Sequence, residues 1–129
     1  MNNTKKTYTF GAILMLFAVG IGAFGAHSLN QVLTENGTLA VFDTASKYHF
    51  YHGLALLVLG AIFDQNEQMI YVKIITNFLF YGVIIFSGSL YILSIFNIIW
   101  LGFLTPIGGL FMLIAWLLFV ISLNSLKNC

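Results

Sequence analysis

Charged and strongly polar residues fall along this chain in short clusters, separated by apolar stretches long enough to form bilayer-crossing helices. Such a helix needs about 20 apolar residues at a rise of about 1.5 Å each. Residues 8–29 supply the first, with no charge between Lys6 and Glu35. The second, 40–63, is less uniform. Asp43 and Lys47 occupy its first turns, which are expected to project above the hydrocarbon, and its uncharged core runs from His49 to Phe63. The third is expected at 73–94 and the fourth at 106–123. The pattern therefore predicts an all-α protein: residues 1–129 form a single transmembrane domain, an integral membrane bundle of four helices.

Residues 74–123 carry no charge, so hydropathy alone does not divide the third helix from the fourth. Thr105-Pro106 supplies the division. Proline suits the first helical position, where its missing N–H costs nothing, and threonine is a good N-cap. From Pro106 to Leu123 a helix spans about 27 Å. Ser94 to Leu104 becomes an apolar connector at the interface, anchored by Trp100. The alternative is a helix that begins near Ile98 and kinks at the proline.

Composition agrees with lipid as the solvent. The chain is 60% hydrophobic and 7% charged, whereas soluble domains carry about 25% charged residues. Net charge is +1, without a basic run, so nucleic acid is excluded as a partner. The single cysteine, Cys129, provides neither a disulfide framework nor a cysteine zinc site. With the amino terminus inside, Lys5, Lys6, Lys73 and Lys127 lie on the cytoplasmic side and Lys47 alone lies opposite. This bias predicts a multi-pass plasma (inner) membrane protein with both termini in the cytoplasm. Lys5 and Lys6 ahead of Phe10–Ala26 also fit a secretory signal, with Ala23-Phe24-Gly25 as a weak small-x-small site. The three later spans and a packing face on the segment itself favour an uncleaved first helix.

Lipid removes the hydrophobic drive for helices to associate, so small residues and polar contacts must hold them together. Ala18, Gly22 and Ala26 form a small-residue ridge at spacings of four, widened by Gly25. It is expected to pack within the bundle rather than serve as a dedicated dimer face.

Polar side chains within spans are the default candidates for function. Here they gather toward one membrane side, the outer one in this orientation. His27 closes the first helix, while Asp43, Lys47, Tyr48, His49 and His52 open the second. Ser87, Ser89 and Tyr91 lie late in the third, and Thr105 opens the fourth. Three imidazoles suit zinc or copper, and two from different helices suit haem. No fixed ligand spacing is present, so no metal or cofactor is assigned; the simpler expectation is that each imidazole bonds a carbonyl or tyrosine hydroxyl. Gly108 and Gly109, in the first turn of the fourth helix, would let an anionic headgroup approach free N–H groups, or would let the helix pack closely on the third. Asp43 and Lys47, four apart, are expected to form a local ion pair. There is no nucleophile–base arrangement and no acid inside the first, third or fourth helix.

GAFGAH at 22–27, TASKYHFYHGLALL at 44–57, FSGSLYIL at 86–93 and TPIGG at 105–109 together resemble the small YgdD/YwdK-type membrane proteins, a domain of unknown function. The resemblance covers essentially the whole chain and implies a four-span inner-membrane protein. Where that family usually has Tyr-Gln-x-Tyr-His, this chain has Tyr48-His49-Phe50-Tyr51-His52, which argues against His49 in a family-wide metal site.

The expected function is non-catalytic: binding of lipid, a small anion or a partner membrane protein at the outer polar corner. The candidate residues there are His27, Tyr48, His52, Ser89, Tyr91, Thr105, Gly108 and Gly109. The alternatives are a small-solute or ion transporter working as a homo-oligomer, and a metal- or haem-binding membrane protein.

Overall fold

The computed structural model describes residues 1–126, so Lys127 and Cys129 lie outside the described residues. Four long helices form: α1 (Asn3–His27), α3 (Leu39–Gln65), α4 (Val72–Phe96) and α5 (Thr105–Ser125). A short helix, α2 (Asn30–Asn36), follows α1, and a 3-10 turn (Ile99–Phe103) precedes α5. No strand occurs among the described residues.

Three helical segments are long and apolar enough to cross a membrane: α1, α4 and the run from Ile99 through α5. The 27-residue α3 is not among them. Asp43, Lys47 and the two histidines dilute the apolar character of its first half, and Asp64 and Gln65 end it.

Buried positions repeat in alternating steps of three and four. On α1 they are Thr7, Gly11, Leu14, Ala18 and Gly25. On α3 the same rhythm runs through Phe42, Ala45 and His49 and again through Leu56, Leu59 and Phe63, with Gly53 and Gly60 buried beside it, and on α5 through Gly108, Met112, Ala115 and Ser122. An average step of 3.5 keeps one seam facing a neighbour along the whole helix. This corrects the expected ridge on α1. Ala18 is buried, but Gly22 is only half-buried and Ala26 is exposed, because steps of four drift around the helix. Gly11, absent from that ridge, lies against the backbone of Leu57, and the Phe42 ring occupies the space beside Gly25.

The helix seams run the length of the molecule. Tyr8 lies against Gly60, Gly11 against Leu57, Leu14 and Met15 against Gly53, and Phe42 against Gly25. Helix α3 therefore stays beside α1 from end to end. Helix α4 packs on α3 and α5 and touches α1, the last through Phe10 stacked on Phe80 with ring centroids 3.9 Å apart.

Two corrections concern the start of α5. Thr105 is its first residue, not its N-cap; Leu104 holds that position and Pro106 follows in the first turn. The connector starts after Phe96 rather than at Ser94, and its 3-10 turn leads into α5 through Leu104 in helical conformation. Instead of capping, the Thr105 hydroxyl donates to Ser89 Oγ at 2.9 Å, since Ser89 itself donates to the Phe86 carbonyl. Trp100 is exposed, as an interfacial anchor requires.

Candidate functional site

The polar side chains of the long helices act first as ties between them. Ser87 of α4 donates to the Ala45 carbonyl of α3 at 2.8 Å. Thr76 donates to Thr7 across α1 and α4 at 2.7 Å, because the Thr7 proton already goes to the Asn3 carbonyl. Around the short helix, Asn36 and Thr38 bond the last carbonyls of α4, at Ser94 and Ile95, which otherwise lack helical donors.

His49 sits at a seam position of α3 and is 5% exposed. Its Nδ1 lies 3.0 Å from the Tyr91 hydroxyl, and the Leu14 backbone of α1 lies beside the imidazole. The Ser46 side chain lies close to the Tyr91 hydroxyl. The His49–Tyr91 bond thus ties α3 to α4 where both meet α1.

His52, three residues on, faces another neighbour. Trp116 Nε1–H of α5 donates to its Nε2 at 3.2 Å, and its Nδ1–H donates to the Tyr48 carbonyl at 2.9 Å. Both ring nitrogens are engaged, leaving no lone pair for a metal without breaking a bond. His27 is exposed at the end of α1. The three imidazoles therefore serve different surroundings, and no group of three or more His, Cys, Asp or Glu residues fit to hold a metal ion occurs among the described residues.

The candidate residues named from the sequence divide in the same way. Tyr48 and His52 stack along α3, Ser89 and Thr105 tie α4 to α5, and Tyr91 lies inside the α1–α3–α4 seam. Gly108 is buried where a Cβ would meet the Gly82 carbonyl oxygen at 2.7 Å, whereas a Cβ on Gly109 would meet only the Phe86 ring at 3.8 Å. The N–H groups of Ile107 and Gly108 turn back onto the Leu104 carbonyl. The first turn of α5 thus uses its glycine for helix contact and two of its donors internally. Asp43 and Lys47 form an exposed ion pair at 2.7 Å.

A groove with a volume of about 390 Å³ lies between α1 and α4. Ile13, Phe17, Ile84 and Gly88 line its walls, and His49, Ser87 and Tyr91 lie at its floor. Of the named candidates only Tyr91 reaches it. His49 and Ser87 belong to the polar cluster read from the sequence but not to its binding candidates, and Gly88 belongs to neither. The three-and-four rhythm that places His49 in phase with Phe42 and Leu56 was the available signal for the first of them.

The comparisons agree with the membrane character of these helices. The UPF0382 membrane protein YwdK of Bacillus subtilis is 42% identical over 118 residues, covering 92% of this chain and 95% of that protein. UPF0382 membrane proteins of Staphylococcus saprophyticus and Staphylococcus epidermidis are 44% and 43% identical over 118 residues, covering 96% and 94% of their own lengths. No solved structure matches the chain. The model of the DUF423 family, described as proteins of unknown function, matches residues 21–109, in agreement with the resemblance read from the sequence blocks. With that match over most of its length, and with relatives aligned nearly end to end, the chain belongs to the DUF423 family of membrane proteins.

Proposed function

We propose that all four long helices cross the cell membrane, with both termini in the cytoplasm, and that the protein works by binding a membrane-dissolved molecule rather than by catalysis. The fourth crossing rests on packing. Helix α3 lies along α1 from Phe42–Gly25 to Gly60–Tyr8, so if α1 spans the bilayer α3 runs through the same depth. Its buried His49 is satisfied by neighbours, and Asp43 and Lys47 are exposed near its amino end, where water is close.

The binding reading rests on one observation. The buried hydroxyls and imidazoles tie helices to each other, while the recess between α1 and α4 stays open on its side. A nucleophile in use needs a free base and a place for a reacting atom, and these side chains offer neither. The recess offers space and apolar walls. This moves the expected interaction site from the outer polar corner, with its lipid, anion or partner-protein ligands, to the groove beside it.

Native mass spectrometry from a mild detergent tests the binding reading. A retained lipid-soluble molecule of defined mass supports it, and a bare protein under conditions that preserve the fold overturns it. Reporters fused to both termini test the crossings. Cytoplasmic signals from both are expected; an exported carboxy terminus rules out four crossings.

A further inference from the structure

We infer that the α1–α4 groove holds one acyl chain of an outer-leaflet phospholipid, an inference that deepens the binding reading above and rests on it. The groove runs along α4 from Tyr91 to Phe80, about 16 Å at the helical rise. That is close to the depth of one leaflet, half of a hydrocarbon core about 30 Å thick. At the Phe80 end, Phe10 of α1 stacks on Phe80 and bridges the two helices, making a blind bottom. A chain entering from the α2 end would place its terminal methyl there.

The chemistry of the walls selects the occupant. Ile13, Phe17, Ile21, Val83 and Ile84 offer hydrocarbon. Beneath them, the Ser87 proton is held by the Ala45 carbonyl, and the Tyr91 hydroxyl and His49 Nδ1 are paired with each other at 3.0 Å. The floor's hydroxyls and the His49 Nδ1 are engaged within the bundle, and hydrocarbon asks nothing of them. Gly88 provides part of the space. A Cβ there would meet no heavy atom within 4 Å, whereas one on Gly82 or Gly108 would strike a neighbouring backbone. Gly82 and Gly108 let two helices touch; Gly88 leaves a gap that nothing in the chain fills.

The test uses the full-length protein in vesicles of phosphatidylethanolamine and phosphatidylglycerol with a trace of phospholipid spin-labelled midway along its acyl chain. Gly88→Leu and, one turn away, Ile84→Trp would fill the groove from α4. Gly20→Leu is the control, because its position is equally open but lies outside the groove. The motionally restricted label is expected to fall by about one chain per protein in both groove variants and to stay unchanged in the control. Gly88→Leu lacks an internal clash, and an unchanged circular dichroism melt would establish its fold; Ile84→Trp repeats the test independently. An unchanged restricted fraction in both groove variants overturns the acyl-chain assignment. If those variants instead release a retained non-lipid molecule in native mass spectrometry, the assignment falls and the binding reading stands. If neither signal moves, both fall.

Discussion

Replacing Gly108 and Gly109 separately by alanine asks whether the glycines at the start of α5 serve packing or a ligand. A Cβ on Gly108 would lie 2.7 Å from the Gly82 carbonyl oxygen and 2.9 Å from the Phe86 Cα. Heavy atoms in contact prefer about 3.5–4.0 Å, so α4 and α5 must part by about 1 Å. The obstructing atoms are backbone and cannot rotate away, which puts the cost near the upper end of the roughly 1–3 kcal/mol for overpacking. Alanine in a helix recovers about 0.5–1 kcal/mol over glycine, leaving a net loss of about 2 kcal/mol. At Gly109 the nearest contact is 3.8 Å, an ordinary separation. Alanine there keeps the propensity gain and should stabilise by about 0.5–1 kcal/mol. Adjacent substitutions of the same kind therefore carry opposite signs, about 3 kcal/mol apart. Unfolding in mixed micelles, titrated with sodium dodecyl sulfate and followed by circular dichroism, measures the difference. Equal stabilities for the two variants, or a Gly108→Ala protein as stable as the parent, would refute the close approach of α4 and α5.

Two further measurements examine the ties between helices. His52→Phe and Trp116→Phe, alone and combined, should give a coupling energy of about 0.6 kcal/mol and no more than about 1.7, as for other hydrogen bonds between membrane helices; a coupling of zero would mean that the 3.2 Å contact contributes nothing. Pro106→Ala should change stability by less than about 0.5 kcal/mol, since a proline in the first turn of α5 breaks no helical hydrogen bond. A change near 3 kcal/mol would instead indicate a proline inside a continuous kinked helix.

The apolar stretches by themselves determined the helical class and the approximate limits of the long helices; for α1, α4 and α5 the reason is that a bilayer demands apolar runs with a fully bonded backbone, whereas α3 is more polar in its first half. The sequence blocks determined the family. Lys5, Lys6, Lys73 and Lys127, against Lys47, set the expected orientation without any fold, since the lysine bias acts at the ends of the spans. Contacts were another matter. Ala26 looked equivalent to Ala18 on a ridge of fours, yet only the crossing of α1 over α3 decides which rhythm of small residues meets a neighbour. Thr105 has good capping chemistry, but Ser89 lies 2.9 Å away and takes its proton. His49 and His52 are three residues apart, and tertiary structure turns one toward Tyr91 and the other toward Trp116. Whether polar groups form a site depends on what lies opposite them across a seam. Spacing along one helix does not contain that information, and the groove beside Gly88 exists only because α1 and α4 leave it between them.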